Sequence, residues 1–187
     1  MALDVYSLEP WQQKAFSAGL LLRMVPNYQY FAEAASFGDA AVLNNILDVI
    51  WQKLSGLSIK INIEAQTEKL LAVTPEPRDF DFYAVYPASD ACSGLLSLLE
   101  SFFDKQLNPA SEVSRLSMSC VQAYIEFCSL EVETRESQAQ HPLIQWEKAT
   151  QAELFDLVKI LKEGKSSCQR IKEVAIGDRL SSLAIEY

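Results

Sequence analysis

Apolar positions along this chain recur at three- and four-residue intervals, the period of helix faces packed on a core. Ser7 can cap a first helix, with Glu9 and Pro10 suited to its opening turn. Trp11, Ala15, Phe16, Leu20 and Leu22 then keep helical phase to about Met24, and Pro26 is expected to end the run. A short second helix over 27–35 presents Tyr28, Phe31 and Ala32 on one side. Phe37-Gly38-Asp39 reads as a turn that carries the cap of the next helix. That helix has the strongest stripe, through Val42, Leu43, Ile46, Leu47, Ile50, Trp51 and Leu54, and Gly56 closes it. Ser58 to Ile63 alternates like a short strand but is too brief to build a sheet, and Asn62 suits the cap of a helix ending before Thr74-Pro75.

Pro75 to Ser89 is the least helical stretch. Asp90, or Ser89 beside it, is expected to start a helix with Cys92, Leu95, Leu96, Leu99, Phe102 and Phe103 inward. Asn108-Pro109 opens another in the favoured cap-then-Pro order, with Val113, Leu116, Cys120, Tyr124 and Phe127 inward as far as about Glu133. His141-Pro142 opens the last element, read as one long helix that is bent at Gly164 and closed by Gly177. Ser181 to Tyr187 is a frayed tail or a docked segment. The pattern predicts an all-α compact bundle of about six to seven helices with a long C-terminal helix, in one domain over 1–187.

Composition narrows the partners. The 49% hydrophobic content suits a chain that folds on its own. With 16 Lys and Arg against 25 Asp and Glu, nucleic acid is not expected, because phosphate backbones are bound by cations. The lysines and arginines from Lys159 to Arg179 are interrupted by acids and lack interleaved aromatics, so they read as a solvated helix face. No apolar run approaches the roughly 20 residues of a membrane span, and the first residues lack a signal-peptide pattern. Four dispersed cysteines and a single histidine, His141, match neither a disulfide framework nor a zinc site. The expectation is a cytoplasmic protein without metal or cofactor.

The chemistry that is legible lies in two bends. Asp79, Asp81 and Asp90 fall at positions 1, 3 and 12 of a calcium loop, but Ala84 stands where the sharp turn needs Gly, and an EF-hand is rejected. Asp39, Asp79, Asp81 and Asp90 either form a carboxylate pair for acid–base work or for holding Mg²⁺ or, more simply, Asp39 and Asp90 cap helices and Asp79 and Asp81 face water while Phe80 and Phe82 pin the loop. Arg23, Asn27 and Tyr28 either receive an anion or form an internal pair, Arg23 with Asp39 or Asp81. Tyr83 and Tyr86 either line a pocket or belong to the core.

An ordered series of uncommon clusters resembles a known family. It comprises Trp11-Gln12, Arg23-Met24 with Pro26-Asn27-Tyr28, Phe37-Gly38-Asp39, Leu47-Asp48 with Ile50-Trp51, and Glu68-Lys69. It continues through Asp79 to Tyr83, Val85-Tyr86-Pro87-Ala88 and Asp90-Ala91-Cys92. These look like the YjaG-like bacterial proteins, the family called domain of unknown function 416. The likeness covers most of residues 8–100 and thins after Gln106, where Trp146 is the main landmark. It implies an all-helical domain of gammaproteobacterial type with no known reaction, and it supplies no catalytic residues.

With no phosphate loop, nucleophile elbow or triad signature, the leading expectation is a non-enzymatic interaction or regulatory domain that binds a protein partner or itself. The alternative is a small-ligand-binding protein or hydrolase with a polar pocket from residues 23–39 and 79–90. Its side chains would be Arg23, Asn27, Tyr28, Asp39, Asp81, Tyr83, Tyr86 and Asp90.

Overall fold

The computed structural model describes residues 3–129 and 135–187, and the expected extension of the fifth helix toward Glu133 lies outside them. Among the described residues there are eight α-helices and no strands. They are α1 (Pro10–Ala35), α2 (Ala40–Leu54), α3 (Ile63–Val73), α4 (Val85–Glu100), α5 (Pro109–Cys128), α6 (Arg135–Gln140), α7 (Pro142–Ile160) and α8 (Lys165–Ile176). The all-α reading holds. None of these helices is long and apolar enough to cross a membrane.

Helix α1 is the axis of the bundle and packs against α2, α4, α5, α7 and α8. Two glycines let neighbouring helices pack close to it. A Cβ on Gly19 would meet Ile171 of α8 at 3.1 Å, and one on Gly94 of α4 would meet Leu21 at 3.1 Å. Large side chains such as Phe16, Leu20, Leu21, Met24 and Phe31 fill the space around that axis.

Four expected boundaries move. Ser7 sits in a short 3-10 turn, and the cap of α1 is Glu9, which forms a capping box with Gln12. Pro26 does not end the first helix, so α1 and the expected 27–35 helix are one element of 26 residues. A proline inside a helix removes one amide donor and disturbs the carbonyls of the turn before it. Pro26 removes the amide that would serve the Leu22 carbonyl, and at the next residue the Arg23 carbonyl accepts from the Ser182 amide at 2.8 Å, so the tail docks beside the discontinuity.

The fourth helix starts at Val85, placing Asp90 inside it, not at its cap. Pro87 is tolerated because it lies in the first turn, where amides lack intrahelical partners. The long last helix is two. Leu161 is extended, and Gly164 adopts φ 154°, which favours glycine, so the chain reverses and α8 folds back against α1 and α7. Phe103 and Phe127, both expected inward, are exposed; Phe103 lies beyond the end of α4.

Other expectations stand. Asp39 caps α2 by accepting from Ala41 N at 2.8 Å, Asn62 and Asn108 cap α3 and α5, and His141 Nδ1 accepts from Leu143 N at the start of α7. The α2 stripe from Leu43 to Leu54, Trp51 included, is buried, and Val42 at its start is half-buried.

Candidate functional site

The two bends do lie side by side. Phe31 of α1 is an aromatic hub that meets Phe37 at 6.0 Å, Phe80 at 5.0 Å and Phe82 at 5.6 Å, while Phe37 and Phe80 meet at 5.2 Å. Phe80 and Phe82 thus pin the loop that carries Asp79 and Asp81, and both aspartates face solvent, as does Asp39. Gly38 has φ +71° there, and a Cβ would fall on the Tyr28 hydroxyl. Tyr28 donates to the Val73 carbonyl at 2.7 Å, and burial pushes its hydroxyl up to about 12. Among the described residues no three His, Cys, Asp or Glu side chains lie where they could hold a metal ion.

Arg23 turns away from these bends. Neither Asp39 nor Asp81 pairs with it; its Nη2 reaches Glu147 Oε2 of α7 at 3.4 Å, and its guanidinium lies 4.1 Å from the centre of the Trp146 ring. Arg23 and Glu147 are 2% and 0% exposed, so this is an interior ion pair. Glu147 Oε1 accepts from Ser117 Oγ at 2.6 Å and from Gln151 Nε2 at 2.7 Å. Ser114 Oγ donates to Gln151 Oε1 at 2.6 Å. One turn along α1, Asn27 Nδ2 donates to Ser182 Oγ at 3.0 Å. Among the described residues, Arg23 Nε and Asn27 Oδ1 have no hydrogen-bond partner. Sequence reasoning missed Glu147, Ser117, Gln151 and Ser182. A signal existed for two of them, since Glu147 and Gln151 fall in phase with Ile144, Leu154 and Val158 on the inward face of α7.

Tyr83, Tyr86 and Asp90 form a third place, where α4 runs beside α5. Tyr83 stacks on Phe127 at 4.2 Å and lies 5.9 Å from Tyr124 and 5.8 Å from Tyr86. Tyr86 is 53% exposed and Phe127 63%. Beneath this face Asp90 is half-buried. Desolvation raises its carboxyl to about 6, although Arg115 and a hydrogen bond with Cys120 pull the other way. Burial also pushes the Tyr83 hydroxyl and the Cys120 thiol upward.

The eight sequence-predicted residues therefore occupy three places instead of one pocket. Two open clefts lie elsewhere. One of ≈ 420 Å³ is lined by Glu153, Arg170, Glu173 and Asp178 among others, and one of ≈ 410 Å³ by residues including Gln122, Glu126 and Lys148.

The fold has solved and sequenced counterparts. A crystal structure of a DUF416 family protein from Shewanella baltica superposes with a TM-score of 0.90 at 32% identity, covering 98% of this chain and 96% of that one. An uncharacterized protein YjaG of Escherichia coli K12 is 37% identical over 163 residues, 86% of this chain and 83% of its own length. A Salmonella typhimurium protein of the same name is 40% identical over 152 residues, 78% of each chain. The model of the family described as "Protein of unknown function (DUF416)" matches residues 2–186, and the chain belongs to that bacterial family.

Proposed function

We propose that this domain works by binding protein through the aromatic face of α4 and α5, and that the occupant is a second copy of the chain. The observation that carries the reading is the stacked Tyr83–Phe127 pair, flanked by Tyr86 and Tyr124, with Tyr86 and Phe127 more than half exposed. Exposed aromatic clusters of this kind provide contact area at low entropic cost and are enriched in protein interfaces. A chain of net charge −9 repels its own copies, so self-association is favoured through a face made of rings. Four unpaired cysteines, three of them buried, support placing the protein in the reducing cytoplasm.

Sedimentation velocity from low to high micromolar concentration tests this. The parent protein should dimerise more tightly as salt screens the mutual repulsion, and Phe127→Ser should be monomeric. A parent protein that stays monomeric at every salt concentration overturns the reading.

A further inference from the structure

We propose that Arg23 and Asn27 form a binding site for a small oxyanion, a carboxylate or a phosphate, and that the C-terminal segment 180–187 is its lid. This site is separate from the aromatic face, and its polar contacts are unbalanced. Arg23 is a buried fork of five N–H donors that meets its carboxylate through one contact at 3.4 Å, where a charge-assisted bond is about 2.7–2.9 Å. Glu147 is held back because its other oxygen already accepts from Ser117 and Gln151. Trp146 fixes the plane of the guanidinium, and Arg23 Nε is left buried without a partner among the described residues. Asn27 follows one turn later on the same helix face, also buried; its unpartnered atom is the acceptor Oδ1, so what it can offer an anion is the Nδ2 donor now on Ser182. An oxyanion engaging Arg23 Nε supplies the missing acceptor, and the Asn27 amide supplies a further donor once Ser182 releases it.

The segment over this pair is built to move as a unit. Ser181 organises it internally: its Oγ accepts from Leu183 N and Ile185 N, its amide donates to Ile185 O at 2.8 Å, and Ala184 holds the turn at φ 60°. Among the described residues two hydrogen bonds tie it to the bundle, both through Ser182, to the Arg23 carbonyl and from the Asn27 amide. Leu183 adds an apolar anchor in a small cluster with Cys120, Val121, Ile125 and Ile144. Lifting the lid uncovers the Arg23–Asn27 edge while its own bonds stay intact.

The test titrates the full chain with inorganic phosphate and, separately, with succinate, each against sodium chloride at matched ionic strength. Hydrogen exchange in the 177–187 peptide and the thermal midpoint are the readouts. Expected is a saturable rise of the midpoint with faster exchange at the lid, the more effective anion identifying the ligand class. Leu183→Ala should tighten that anion by about threefold to tenfold, since a looser lid leaves more of the population competent. Arg23→Lys, which keeps the charge but loses the fork, should abolish the response. If Arg23→Lys does not fold, Asn27→Ala answers the same question, with a lost response supporting the site and a retained one overturning it. No saturable response in either the parent or Leu183→Ala overturns the proposal, as does a response that survives Arg23→Lys.

Discussion

The amide of Ser182 donates to the carbonyl of Arg23 at 2.8 Å, joining the end of the chain to the middle of its first helix. That carbonyl is next to the Leu22 carbonyl, whose helical donor Pro26 removes. Two elements that look unrelated in sequence, an internal proline and a polar tail, thereby meet at one turn of α1.

Removing the tail's second bond has a readable cost. Ser182→Ala leaves the buried Asn27 amide without its acceptor and should lower stability by about 1–3 kcal/mol. Urea denaturation measures this. A loss below about 0.3 kcal/mol would show that the tail is undocked in solution.

The interior ion pair predicts a larger effect. Glu147→Ala strands Arg23 in the core and deprives Ser117 and Gln151 of their shared acceptor. We expect a loss of about 3–5 kcal/mol in the same denaturation experiment. Glu147→Gln should lose less, because it keeps an oxygen acceptor.

Asp90 gives the molecule a pH dependence of known sign. Its folded value of about 6 lies above the roughly 3.9 of an unfolded aspartate, so the native state holds its proton more tightly. Its contribution is fully present below about pH 4 and is lost as pH rises through about 6. Allowing for partial exposure, the change should be about 1–2 kcal/mol. Asp90→Asn should flatten that part of the stability profile and leave the protein more stable at pH 7. Equal pH profiles for parent and variant between pH 4 and 7 would refute it.

Trp51 lies in the main core beside Leu47 and Leu54, with Lys172 5.0 Å from its ring. Trp51→Ala should cost about 3–5 kcal/mol through lost burial and the cavity left behind. A cost under about 1 kcal/mol in calorimetry would place that stripe outside the core.

Phe127→Ser separates folding from association. The side chain is 63% exposed, so monomer stability should change by no more than about 0.5 kcal/mol, even as self-association disappears. Denaturation at low protein concentration reads the first quantity, and sedimentation the second.

Much of the local chemistry was legible, apart from the caps expected at Ser7 and Asp90 and the inward positions expected of Phe103 and Phe127. The periodic stripes of α2, α4 and α5, the caps at Asp39, Asn62, Asn108 and His141, and the pinning role of Phe80 and Phe82 follow from side chains near in sequence. Phe37, Phe80 and Phe82 are apolar residues in otherwise polar bends, whereas their common contact on Phe31 of α1 is a tertiary feature.

Only the tertiary structure decided which helices ran on and which polar groups met. Pro26 stays inside α1 because five other helices pack around that element; Gly164 breaks the last helix because α8 finds its place against α1. Arg23 pairs with Glu147, 124 positions away, instead of with a nearer aspartate. Periodicity and capping are short-range, set by a residue and its neighbours within a turn or two. The partner of a buried charge is set by where whole helices come to rest, and this distributed the eight residues grouped from sequence among three separate places.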